Sequence, residues 1–104
     1  MLAAIVTLFH PTKEQLENLR KLSLLPNLDF IVLVQNSAED LPLLDIPNSV
    51  LIKNDNIGGI AGAFNRGAHA AFQKNADTIV LLDQDSEVPS NFFTKMLEFI
   101  KQKN

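Results

Sequence analysis

Asp83 and Asp85 stand two positions apart, directly after the apolar run 78–82 (TIVLL), and no Lys or Arg lies within several residues of either. Carboxylates crowded together without a counter-charge repel one another unless a cation holds them. A hard divalent ion such as Mg²⁺ or Mn²⁺ takes one or two carboxylates and fills its remaining positions with phosphate oxygens and water. The pair therefore points to a metal–phosphate site; the plainer reading is a solvated acidic turn, with Asp85 capping the helical region that follows. A second signal is the stretch 54–67, NDNIGGIAGAFNRG. Gly58 and Gly59 permit a tight turn, and a helix starting there aims free N–H groups at it, an end that suits a phosphate or a polar nucleotide edge. The stretch is neither a Gly-Lys-Ser/Thr phosphate loop nor GxGxxG. Its glycines would serve equally to let a helix lie close on a sheet. Arg66 reads as a diphosphate neighbour or an ordinary surface charge. Asn65 and His69 lie one helical turn apart on a solvated flank. His10, just past the first apolar run, reads as a surface residue rather than a base. Gln35-Asn36-Ser37 can touch a nucleotide base or form an Asx-type turn.

These residues need a frame, and the apolar pattern supplies one. Ala3 to Phe9 is a short continuous apolar run, the pattern of a strand buried on both faces. After Pro11, Thr12 and Gln15 form a capping box, and Leu16, Leu19 and Leu22 follow at helical spacing up to Pro26. Phe30 to Val34 is a second buried strand. Residues 38–48 hold Pro42 and Pro47 and read as an irregular connection, with room for a helical turn. Val50 to Lys53 is a short third strand. A helix is predicted from about Ile60 to Lys74, with Ile60, Phe64, Ala68, Ala71 and Phe72 as its apolar stripe. Thr78 to Leu82 is strand four. Ser90 can cap a last helix whose apolar face is Phe92, Phe93, Met96, Leu97 and Ile100.

The order βαβ–loop–βαβα predicts an α/β fold: a Rossmann-like, three-layer αβα sandwich on a mostly parallel sheet with right-handed crossovers. With strand order 3-2-1-4, strands one and four flank a topological switch point, where open α/β sheets bind ligands. The acidic pair lies there.

The chain has 104 residues, enough for a single domain spanning 1–104. Hydrophobic residues make up 46% and charged ones 20%, which argues against disorder. A net charge of -3 provides no basic patch, so nucleic acid is not an expected partner. There is no cysteine, which excludes disulfides and thiolate metal sites. The apolar start MLAAIVTLFHP lacks a basic region and a cleavage site, and no apolar run is long enough to span a bilayer. A cytoplasmic domain is the expectation from these features.

In order along the chain, three stations resemble the amino-terminal half of glycosyltransferase family 2 enzymes, which have the GT-A fold. Thr7, Phe9 and Pro11 are similar to the family's opening strand and turn. Asn56, Gly58, Ala61, Asn65 and Gly67 resemble its N-x-G…A-x-N-x-G segment. Asp83-Gln84-Asp85-Ser86 matches its DxD motif, in a form most like the bacterial rhamnosyltransferase branch. The resemblance implies an inverting transferase with a nucleotide-diphospho-sugar donor, dTDP-rhamnose in that branch, working in surface polysaccharide synthesis. It implies a cytoplasmic enzyme, or one peripheral at the inner membrane, with a glycan or lipid-linked acceptor. Asp85 would hold Mg²⁺ or Mn²⁺ on the diphosphate, with Asp83 on the ribose or sugar phosphate and as a second metal ligand. Asn65 and the turn before it would pack against the nucleoside, with Thr7, Phe9, Pro11, Gln35 and Arg66 nearby. Two residues depart from the pattern: Gln35 stands where the family usually has Asp for base contact, and His10 replaces the usual Asn. No catalytic residue is assigned, since the family's general base lies well beyond the DxD and only nineteen residues follow Asp85. The expectation is therefore a donor-binding half without its acceptor half, binding nucleotide weakly and prone to self-association through an uncovered sheet edge.

Two other DxD-type sites fit less well. A haloacid-dehalogenase-like phosphatase carries its DxD near the amino terminus, ahead of a long body. A calcium loop of the EF-hand type needs Gly where Val88 stands and Glu where Thr94 stands. The rival from a different class is a non-catalytic binding or interaction module with the same fold.

Overall fold

The computed structural model describes residues 1–41 and 45–103. Its elements are β1 (Leu2–Leu8), α1 (Lys13–Leu22), β2 (Phe30–Gln35), β3 (Ser49–Lys53), α2 (Gly59–Gln73), β4 (Thr78–Asp83) and α3 (Phe92–Lys103). All four strands are parallel, in the order β3-β2-β1-β4. The apolar runs become strands because both sheet faces are covered, and residues 30–35 are all buried. Right-handed crossovers place the helices. The chain leaves β1 toward β2 and returns from β3 to β4 in the opposite sense, so α1 and α2 fall on opposite faces.

On one face Leu19 and Leu22 of α1 and Phe93 of α3 pack with Leu2, Ala4, Val6 and Leu8. On the other, Ala63 and Ala71 of α2 pack with Ala3, Ile5, Val32 and Val34. The three-layer αβα sandwich is as expected. The Thr12–Gln15 capping box is present with both of its hydrogen bonds. Leu16, Leu19 and Leu22 all contribute to that core, but the helix stops at Leu22, with Ser23 as C-cap, rather than running to Pro26.

Two expectations are corrected. The predicted stripe of α2 holds in part: Ala71 is buried and Phe64 and Ala68 pack against the core, but Ile60 is 66% exposed and Phe72 53%, and the buried face is centred on Ala63, Gly67 and Ala71. The cause is close approach. A Cβ on Gly67 would stand 2.5 Å from Cγ2 of Ile5 and 3.0 Å from Cγ2 of Val34, so the helix axis lies nearer the sheet than large side chains allow. Ser90 does not cap the last helix, which begins at Phe92 after a turn in which Phe92 N–H donates to the Pro89 carbonyl. Pro42 lies outside the described residues. None of the described helices is long and apolar enough to cross a membrane.

Candidate functional site

The parallel register levels the strand ends. Thr7 of β1 stands beside Asp83 of β4, and Leu8 beside Gln35 of β2. Above these ends opens a cleft of about 560 Å³, lined by Thr7, Phe9, Gln15, Asn36, Asn56, Ile60, Asp83, Gln84 and Asp85. Alternation of side chains carries Thr7 and Asp83 to the α2 side of the sheet. Thr7 Oγ1 is buried and has no hydrogen-bond partner among the described residues. A buried hydroxyl without a partner is costly, and a ligand in the cleft would relieve it.

The 54–58 turn forms one wall. Asn54 is buried, and its Nδ2 donates to Asn36 Oδ1 at 2.8 Å and to the Ile57 carbonyl at 3.0 Å. Asn36 Nδ2 donates in turn to the Gly59 carbonyl at 3.2 Å, tying the end of β2 to the start of α2. Asp55 and Asn56 take left-handed backbone angles, φ 52° and 59°, which short polar side chains tolerate best after glycine. Gly62 closes the turn: a Cβ there would lie 2.2 Å from the Ile57 carbonyl oxygen, a backbone atom that cannot swing aside.

The opposite wall is the acidic loop. Ser86 folds it back, its N–H donating to the Asp83 carbonyl and its Oγ accepting from Asp83 N–H, both at 3.0 Å. Asp83 and Asp85 are exposed. Among the described residues neither carboxylate has an ion pair or side-chain hydrogen bond. Among the described residues they are also the only charged ones lining the cleft. No group of three or more metal-ligating His, Cys, Asp or Glu occurs among the described residues. The donor set is therefore two carboxylates with free oxygens. That suits a hard divalent ion whose other ligands come from phosphate and water, and not a fully protein-enclosed cage.

Other expected site residues fall elsewhere. Thr7, Phe9, Asn56, Asp83 and Asp85 come together in the cleft. Gln35 is buried and turns toward the 37–39 loop, its Nε2 donating to the Glu39 carbonyl. Arg66 braces the end of β3, its Nη1 donating to the Lys53 carbonyl at 2.8 Å and to Asn54 Oδ1 at 3.4 Å. Gly58 is the N-cap of α2 in a left-handed conformation (φ 74°), and no side chain caps that helix. Asn65 and His69 are exposed on α2, and Pro11 is half-buried; none of the three lines the cleft. His10 meets Glu39, with 2.5 Å between Nδ1 and Oε2, and its N–H donates to Ser37 Oγ. The Glu39 carboxylate titrates below its ordinary range. A hydrogen bond from Ser37 is the main cause, and the one from His10 adds to it against an opposing desolvation. Gln15, Ile60 and Gln84 join the cleft without having been expected there. Gln15 was legible only as a capping residue, Ile60 only as a member of an apolar stripe, and Gln84 only as a spacer between two acids.

A parallel α/β sandwich with an acidic cleft at its switch point is a Rossmann-like domain built to hold a ligand beyond its strand ends. The family model for "Glycosyl transferase family 2" matches residues 11–104, and the chain belongs to that family of nucleotide-sugar glycosyltransferases. Neither a curated protein nor a solved structure matches it significantly.

Proposed function

We propose that this chain binds the donor of a sugar transfer, with Asp85, aided by Asp83, holding Mg²⁺ or Mn²⁺ on the diphosphate of a nucleotide-sugar. The observation that carries this reading is electrostatic. The family takes a diphosphate-bearing donor, yet both charged residues of the cleft are unpaired carboxylates. Like charges brought together in the cleft repel, and solvent screens only part of that repulsion. A divalent cation between them reverses that sign. The nucleoside then lies along Phe9, Thr7 and Asn56, and the LDQDS form of the motif favours dTDP-rhamnose as the donor.

The test is thermal. At about ten times its Kd, a ligand that binds only the folded chain adds about 1.4 kcal/mol. For a domain of this size that raises Tm by about 6–11 °C. Mn²⁺ with dTDP should produce such a rise, and Asp85→Asn should abolish its metal-dependent part. An equal rise in the variant would remove the metal from the acidic pair.

One observation favours a second reading, donor binding without transfer. Among the described residues the cleft is lined by no titratable group apart from the two aspartates, whereas inverting transfer needs a base for the acceptor hydroxyl, worth roughly 10²–10⁴-fold in rate. Incubation with dTDP-rhamnose, Mg²⁺ and a panel of glycan and lipid-linked acceptors separates the two readings. Sustained, acceptor-dependent release of dTDP would establish transfer by residues 1–104, and binding without release would establish the second reading.

A further inference from the structure

The residue between the two aspartates is tied to the other side of the cleft. Gln84 Oε1 accepts from Phe9 N–H at 2.9 Å, and Gln84 Nε2 donates to the Phe9 carbonyl at 3.0 Å. A primary amide carries one acceptor and two donors, so it matches the N–H and C=O of a single residue in a closed pair. The β1–β4 ladder ends at Thr7 and Asp83. Gln84 thus adds one more rung with its side chain, where the two backbones have begun to diverge. The chain turns immediately afterwards, with His10 in a left-handed conformation (φ 45°). Phe9 is 54% exposed and its ring lines the cleft, so the direction of its backbone sets where that wall stands. On the other side the rung meets the acidic loop, whose own fold is held separately by the two hydrogen bonds between Asp83 and Ser86.

We propose that Gln84 is a positioning residue for the donor site: it sets the spacing between the Phe9 wall and the two carboxylates without touching the ligand's reacting atoms. This role rests on the donor-binding reading above. A ligand that spans both walls, nucleoside on one and metal-bound diphosphate on the other, depends on that spacing. A metal ion alone sits on the acidic loop and does not.

Two variants test it in the full chain. Gln84→Met keeps the side chain's length and removes both hydrogen bonds. Gln84→Asn keeps the amide but falls one methylene short of Phe9. Three quantities are read: exchange of the Phe9 amide hydrogen in the free protein, the affinity for Mn²⁺ alone, and the affinity for dTDP in saturating Mn²⁺. Both variants should show Phe9 exchange faster by about tenfold and dTDP affinity lower by about tenfold, with Mn²⁺ affinity within about twofold of wild type. Simple loss of folding would lower both affinities together, and so overturn the assignment. Unchanged dTDP affinity in Gln84→Met, or unchanged Phe9 exchange, also overturns it. If the wild-type chain bound neither Mn²⁺ nor dTDP, the donor-site reading would fail first, and this role with it.

Discussion

Asn54 makes three of the side-chain contacts that hold the turn beside the cleft, and its amide group donates to the buried Asn36 Oδ1 and to the part-buried Ile57 carbonyl. Replacing it with leucine keeps the branched skeleton, adds some bulk, and leaves Asn36 Oδ1 and the Ile57 carbonyl without that donor. Each buried group left unpaired costs about 1–3 kcal/mol. Asn54→Leu is therefore expected to lower stability by at least that much, read from the urea midpoint at unchanged m-value. Glu39 supplies a pH signature. Its carboxylate titrates low in the folded chain because Ser37 and His10 bond to its charged form. Its contribution is thus present above the unfolded-state value of about 4.3 and disappears as pH falls through the lower folded-state value. Glu39→Gln should flatten that acid limb and leave the profile at neutral pH without a matching slope. These networks were hardly legible in the sequence. Asp83 and Asp85 announced themselves by charge, but Asn54, Asn36 and Gln84 are neutral amides whose partners lie across the fold, 75 residues away for Gln84.

Helices and strands were legible to different degrees, for a physical reason. β1 and β2 are buried on both faces, so their residues form unbroken apolar runs that need no periodicity to be seen. The start of α1 is written locally by Thr12 and Gln15, two residues three positions apart that close on one another. The packing face of α2 was legible in part, through Phe64, Ala68 and Ala71, but its centre at Ala63 and Gly67 was not. The side chains that approach a sheet most closely are the smallest, and smallness does not register as hydrophobicity. Ile60 instead stands at the cleft, where its apolar surface faces ligand space rather than core. Gly67→Ala tests the close approach directly. The added carbon must displace Ile5 and Val34, branched side chains in the centre of two strands. Overpacking of this kind costs about 1–3 kcal/mol, although alanine is the better helix former by about 1 kcal/mol. A net fall in Tm is expected, and a rise would mean that α2 stands farther from the sheet than described.

At the level of the whole molecule, the alternation of strands and helices was enough to place the cleft, because a switch point follows from strand order alone. The sequence also led to the expectation of an uncovered sheet edge, and β4 is where the described structure leaves one. β4 pairs only with β1, and Leu81 on it is 51% exposed. An unpaired apolar edge is a template for another chain. Concentration-dependent self-association is expected in sedimentation, and Leu81→Lys should suppress it. The same arrangement has a consequence for how the protein is made. β1 precedes both of its sheet partners in the chain, and it is one of two inner strands among the described residues, flanked by β2 and by β4. Its β4 partner begins 76 residues after its own start, since Leu2 pairs with Thr78. At about 5–20 residues per second, the nascent chain carries a completed β3-β2-β1 sheet with a bare inner edge for several seconds. Until Thr78–Asp83 emerges, an inner strand of the finished protein is the exposed edge of the growing chain.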